Sequence, residues 1–168
     1  MVIDRSAPQA APLWSVRVLE WSLLAGVLVV LVLLFARQVR VIKGQGELAA
    51  VRSTLGALRT ALVIDHLQKK VMDGSSSVAL KQRNPFELLQ RQPANYVGEV
   101  TPAQAVAAPA GSWVFDPVCA CAGYVPTDVQ WFDSPSGEAM AWYQLRGAPG
   151  PMQLVAKEAY GWQGLLMN

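Results

Sequence analysis

The sequence predicts an α+β protein in which one long N-terminal helix packs on a small antiparallel β-sheet. Residues 16 to 36 are almost entirely apolar, and residues 37 to 73 continue with apolar residues at helical spacing. Residues 112 to 168 contain short strand-like segments separated by turns rich in glycine and proline. A chain of 168 residues can hold one membrane segment and one modest domain.

The apolar segment is long enough to cross a bilayer. It has no charged residue from Trp21 to Ala36, and counting back to Val18 gives 19 residues, including Glu20. At about 1.5 Å of rise each, these residues cover the roughly 30 Å of a hydrocarbon core. The small residues of a secretory cleavage site do not follow it, which predicts a retained anchor and not a removable signal.

Charge is distributed unevenly along the chain. Residues 1 to 91 hold 12 Lys and Arg against 6 Asp and Glu, whereas residues 92 to 168 hold 2 against 6. The basic residues are spread along a predicted helix without interleaved aromatic side chains, so nucleic-acid binding is not expected. Arg37, Arg40 and Lys43 outnumber Arg5 and Arg17, which by the positive-inside rule favours a cytoplasmic C-terminal side.

A single apolar stripe follows the membrane segment along the same predicted helix. Its spacing of three and four residues places its members on one face. These residues are Leu48, Val51, Leu55, Leu58 and Leu62. The helix is predicted to end near Met72, before Asp73-Gly74-Ser75-Ser76-Ser77. Gly44 and Gly46 each disfavour a helix interior by about 1 kcal/mol, so a break is expected as an alternative there.

The rest of the chain is predicted to cover this stripe. Residues 74 to 111 are expected to form a loop with a short helix capped by Asn84, ending in the Ala/Pro-rich stretch 101–111. Strands are expected at residues 112–116 and 123–126 around a hairpin loop. A second pair is expected at residues 139–146 and 152–162, around a turn at 147–151.

The pieces resemble type IV pilins and type II secretion pseudopilins. The stretch SVRVLEWSLLAGVLVV matches the family's N-terminal pattern when it is aligned on Glu20, with Val16 as the first mature residue. The segments NPFELLQ, PANYVGE, GSWVFDP and GYVP are similar to stretches of minor pseudopilins, including those of the mannose-sensitive haemagglutinin type of pilus. Ser15 stands where the family has the Gly required by prepilin peptidase, and Arg17 where Thr is usual.

The resemblance implies a pilin-like fold and a non-enzymatic role in assembly. It implies a single-pass protein of the bacterial inner membrane with a periplasmic head, a topology opposite to the one that the Lys and Arg distribution favours. Its partners would be the lipid bilayer and other pilin or pseudopilin subunits or inner-membrane assembly proteins, with no cofactor and no small-molecule substrate. Residues 1 to 15 would be a cleaved leader or, if Ser15 prevents cleavage, a cytoplasmic tail.

Two other functions are kept as alternatives. The first is a bitopic scaffold that organises a pilus or secretion platform without being polymerised, which Ser15 favours. The second is a membrane-tethered thiol oxidoreductase that uses Cys119 and Cys121.

Glu20 is the predicted assembly residue. The resemblance implies that it neutralises the N-terminal amine of a neighbouring subunit, and an unpaired carboxylate in hydrocarbon costs about 3 kcal/mol. Two alternatives remain: Glu20 lies at the headgroup level, or it pairs with Arg17, three residues earlier on the helix.

Cys119 and Cys121 form a C-x-C pattern whose bridge would close a very small ring. Free thiols or a simple local bridge, a bridge to another chain, and a redox or metal role all remain open.

His66 is the sole histidine and has no neighbouring metal-ligand motif, so it is expected to be a surface or partly packed residue. No calcium-loop spacing joins the acids Asp116, Asp128, Asp133 and Glu138, and no metal site is predicted.

Overall fold

The computed structural model of the protein describes residues 13–72, 83–147 and 152–167. The chain divides into two compact units between Lys43 and Gly44. The first unit is helical, and the second combines helix with two β-sheets. The predicted α+β class is therefore confirmed.

The first element is a helix of 60 residues, α1, Leu13–Met72. Gly44 and Gly46 lie inside it, so the break that these glycines suggested is absent. The predicted stop at Asp73 to Ser77 lies outside the described residues, as do residues 1–12 of the predicted leader or cytoplasmic tail.

Two short helices lie within residues 74–111, where a loop with one short helix was expected. A 3₁₀ helix, Pro85–Leu88, follows Asn84, whose side-chain oxygen accepts a hydrogen bond from the backbone N–H of Phe86 at 3.0 Å. This cap agrees with the predicted short helix. A second helix, α2, Pro102–Ala105, lies in the Ala/Pro-rich stretch. Its N-cap is Thr101, whose backbone N–H donates to Gln104 Oε1 at 3.0 Å.

The strands form two sheets. They are β1 Tyr96–Glu99, β2 Trp113–Asp116, β3 Cys121–Tyr124, β4 Phe132–Asp133, β5 Ala141–Arg146, β6 Gln153–Ala156, β7 Tyr160–Trp162 and β8 Leu165–Met167. The larger sheet has the order β1-β2-β3-β5-β6, and the smaller has the order β4-β7-β8. β1 pairs with β2 in parallel, and the other pairs are antiparallel.

Several strand boundaries differ from those predicted. The strand expected at residues 123–126 is β3, which begins at Cys121. The strand expected at 152–162 is two strands, β6 and β7, which belong to different sheets. β1 was not predicted at all. The turn expected at 147–151 lies largely outside the described residues.

The predicted stripe of α1 is buried against the sheets. Its five residues, Leu48, Val51, Leu55, Leu58 and Leu62, are each no more than 5% exposed. The same core holds Phe86, Trp113, Phe115, Ala122, Tyr124, Tyr143, Leu145, Leu154, Tyr160 and Trp162. We call the unit built around this core, residues 44–168, the head.

Side chains that alternate along each strand point to opposite faces of the larger sheet. Trp113 and Phe115 of β2 contribute to the core with α1, whereas Val114 between them packs with Ala105 of α2 and with Met140. The sheet therefore has an inner face covered by α1 and an outer face that α2 covers in part.

The head is expected to lose stability above about pH 10. Burial raises the pKa of the phenols of Tyr124 and Tyr143 above their ordinary value of about 10. The folded head then holds these protons more tightly than the unfolded chain does. The two phenols contribute fully to the free energy of unfolding below pH 10, and this contribution is lost as the pH rises through their folded-state pKa. The measurement is the thermal unfolding temperature between pH 7 and pH 12.

Tyr143→Phe supplies the control, because its hydroxyl is buried without a hydrogen-bond partner among the described residues. The unfolding temperature of this variant should fall less steeply above pH 10 than that of the parent. An equal decline in both proteins would show that Tyr143 does not contribute to the loss.

Candidate functional site

The first compact unit exposes an apolar helical surface. The large apolar side chains from Val18 to Phe35 are between 51% and 72% exposed. The helix is long and apolar enough to cross a membrane, with a peak mean hydropathy of 2.6. A helix that is apolar all round needs lipid or other protein around it. The structure therefore fits a single-pass membrane protein.

Ser22 is the polar side chain within the uncharged stretch, and the helix itself satisfies it. Its hydroxyl donates to the backbone oxygen of Leu19 at 2.9 Å. Such a bond to the preceding turn removes the cost of carrying an unpaired hydroxyl into hydrocarbon.

The predicted assembly residues lie at the start of this surface. Arg17 and Glu20 are both exposed on α1. The ion pairs within the described ranges are Lys69–Asp65, Arg83–Glu87 and Lys157–Glu138. Arg17 and Glu20 are not brought together, so the internal pairing considered from the sequence is absent. Glu20 therefore has no ion-pair partner among the described residues.

The predicted processing residues are helical. Val16 is 61% exposed, and Ser15 lies in the first turns of α1.

The head holds its segment of α1 by polar contacts that the sequence analysis did not identify. Trp162 of β7 donates its indole N–H to the backbone oxygen of Gly44 at 2.9 Å, in a buried position. A Cβ at Gly44 would lie against the side chain of Gln163 and 3.2 Å from the Trp131 ring. The absence of a side chain at Gly44 thus lets β7 and its neighbours approach the helix closely.

Glu47, one turn further along, is the second polar tie. Its carboxylate accepts hydrogen bonds from the Tyr124 hydroxyl at 2.7 Å and the Thr127 backbone N–H at 2.8 Å, and also from the Thr127 hydroxyl. Burial and the bond to Glu47 both raise the pKa of Tyr124, so this phenol stays protonated and donates. We call Gly44, Glu47, Tyr124 and Trp162 the helix–sheet junction.

No protein-family model, curated protein or solved structure matches this chain.

The cysteine pair is bridged within the chain. Cys119 and Cys121 are bonded to each other, with their Cα atoms 5.2 Å apart, and the turn that contains Cys119 joins β2 to β3. This is the local bridge among the alternatives that the sequence left open. Ala120, between the two cysteines, has a positive φ of 53°. This left-handed conformation is uncommon for residues other than glycine and occurs mainly in tight turns.

The remaining candidate ligands do not assemble. Among the described residues, no group of three or more His, Cys, Asp or Glu side chains could hold a metal ion. His66 is half-buried near the end of α1. Of the acids in the strand region, Asp128 accepts a hydrogen bond from the Gln130 N–H at 2.9 Å and caps a 3₁₀ turn.

Proposed function

We propose that this protein is a non-enzymatic assembly subunit of a type IV pilus or a type II secretion pseudopilus, anchored in the inner membrane with a periplasmic head. One observation carries the proposal. A single helix, α1, exposes apolar side chains between residues 18 and 35 and buries a stripe in the head between residues 48 and 62. Anchor and head core are thus parts of one element.

The exposed part of α1 supports both insertion into a membrane and packing against other helices. Its 13 Leu, Val and Phe residues between positions 18 and 36 favour insertion by roughly 4 to 8 kcal/mol in total, at about 0.3 to 0.6 kcal/mol each. The same surface offers every side of the helix to neighbouring helices. Glu20 gives that surface a single charged point, which an amine or a cation of another subunit would neutralise.

The scaffold remains the second candidate, because Ser15 replaces the Gly of the family's cleavage site. A chain that kept residues 1–15 would carry a tail at the end of the helix that enters a filament. Such a protein would organise assembly at the membrane without being polymerised.

N-terminal sequencing combined with co-purification tests the proposal. The protein is isolated in mild detergent from its native membrane, as the parent, as Glu20→Ala and as Arg17→Ala. We expect a mature N-terminus at Val16, co-purification of other subunits with pilin-like N-terminal helices, and loss of those subunits in Glu20→Ala. Arg17→Ala serves as the matched control and should retain them.

A start at Met1 with co-purification of platform proteins alone would favour the scaffold. Retention of the same subunits by Glu20→Ala would show that the carboxylate does not pair subunits. Absence of any pilin-like partner from the parent protein would contradict the assembly role altogether.

A further inference from the structure

The outer face of the larger sheet carries a groove of about 570 Å³. Its floor includes the ring of Trp142, which lies flat over Gly123: a Cβ at Gly123 would be 2.6 Å from Cζ3 of that ring. Met140, the Cys119–Cys121 bridge and Val106, the residue that follows α2, also line it, and Val106 is 89% exposed. The groove is thus a concave, mainly apolar surface.

Two carboxylates give this apolar groove a negative character. Asp116 and Glu138 both line it, and Lys157 supplies one positive charge. Lys157 Nζ lies 3.5 Å from Glu138 Oε1, while Glu138 Oε2 is buried with no hydrogen-bond partner among the described residues. The Glu138 side chain is 39% exposed, so an incoming ammonium group can reach this carboxylate and supply the hydrogen bond that Oε2 lacks.

The far end of α1 offers the complementary chemistry. Leu67, Lys70 and Val71 share one helical face, because they are spaced by three and four residues. Leu67 is 54% exposed and Val71 86% exposed. Lys70 is exposed and pairs with no described acid, whereas its neighbour Lys69 is already held by Asp65 at 2.9 Å. The face therefore presents two apolar side chains around one unpaired positive charge.

This helical face cannot reach the groove of its own chain. The stripe of α1 packs on the inner face of the sheet, through Trp113, Phe115 and Tyr143. The groove is built on the outer face, from side chains that alternate with these, such as Asp116 and Trp142. An occupant supplied by α1 must therefore come from a second copy.

We propose that the groove binds the exposed end of α1 from a second copy of this chain, with Lys70 of that copy donating to Glu138 and with Leu67 and Val71 packing on Trp142 and Met140. The mode is that of an amphipathic helix in an apolar groove. Charge complementarity supports this occupant, because residues 92 to 168 carry 2 basic against 6 acidic residues and residues 1 to 91 carry 12 against 6.

The contact joins two different surfaces, so each copy keeps a free groove at one side and a free helix end at the other. Such heterologous contacts generate rings when the rotation closes and open filaments when it does not. The inference rests on the proposed assembly function and specifies one contact that head domains would make.

Charge exchange tests the contact. The full-length protein in detergent micelles is studied by sedimentation as the parent, as Glu138→Lys, as Lys70→Glu and as the double variant. Each single variant should weaken self-association at least tenfold, and the double variant should restore it, because the pair is re-formed with its signs exchanged. Carbodiimide treatment of mixed normal and ¹⁵N-labelled protein should yield Lys70–Glu138 linkages between chains.

The matched controls change the same net charge elsewhere in the head. Glu87→Lys replaces an exposed acid that also holds one surface ion pair, to Arg83 at 3.9 Å, and Arg91→Glu replaces an exposed base. Both should associate as the parent does. Equal behaviour of the groove variants and these controls, or a parent that does not self-associate, would overturn the inference. If Glu20→Ala loses its pilin-like partners while the groove variants associate as the parent does, the proposed function stands and this contact does not.

Discussion

Replacing Val27, Val30 and Leu33 with arginine together is expected to remove the protein from the membrane. Each arginine near the centre of a membrane helix costs about 2.5 to 3.5 kcal/mol, so three cost roughly 8 to 10 kcal/mol. The ten remaining Leu, Val and Phe residues between positions 18 and 36 return roughly 3 to 6 kcal/mol. Insertion thus becomes unfavourable. The measurement is the fraction of protein that stays in the membrane pellet after alkaline carbonate extraction.

Alanine at the same three positions provides the matched control. Alanine lacks the charge, and the same ten apolar residues remain, so this variant should stay in the pellet. A triple-arginine variant that also resisted extraction would show that α1 does not hold the protein in the bilayer by insertion.

The second large effect is expected in the head, from Leu58→Ala. Leu58 is 0% exposed at the centre of the stripe, and a buried Leu→Ala change costs about 3 to 5 kcal/mol through lost burial and the cavity it leaves. That is a large part of the stability of an ordinary domain. Denaturant unfolding of the full chain in micelles, followed by tryptophan fluorescence, reports the change.

Leu67→Ala is the matched control because it makes the same substitution on the same helix at a position that is 54% exposed. Its cost should stay below about 1 kcal/mol. If both variants lost similar stability, the stripe would not be the centre of the core.

The sequence predicted the helical features well because their signals are local. The uncharged stretch and the stripe repeat over three or four residues, and the burial of Leu48 through Leu62 follows that spacing. Asn84 was predicted correctly as a cap for the same reason, since its side chain accepts a hydrogen bond from the N–H of Phe86, only two residues away.

The sheets were harder to predict because strand pairing depends on distant segments. β1 contains Gly98 at a φ of 121° and has an irregular register with β2, so it lacks the regular alternation of an ordinary strand. β6 and β7 are separated by Lys157, Glu158 and Ala159, which include no glycine or proline to mark the division.

The junction and the groove left even less trace in the sequence. Gly44 read as a possible helix breaker, but it is the position where the Trp162 indole reaches the helix backbone from 118 residues away. The groove assembles α2, β3, β5 and the segment before β5, so no short spacing reveals it. The C-x-C pattern was the one local sequence feature that belongs to the groove, since Cys119 and Cys121 line part of it.

Trp162 follows Gly44 by 118 residues, and this separation also determines what happens during synthesis. At roughly 5 to 20 residues per second, about 6 to 24 seconds pass after Gly44 is made before its partner exists. Once Leu62 has been made, the stripe of Leu48 to Leu62 is complete in the chain, while the strands that cover it are still incomplete. The stripe is therefore covered completely only when the last strand of its core, β7, has been made.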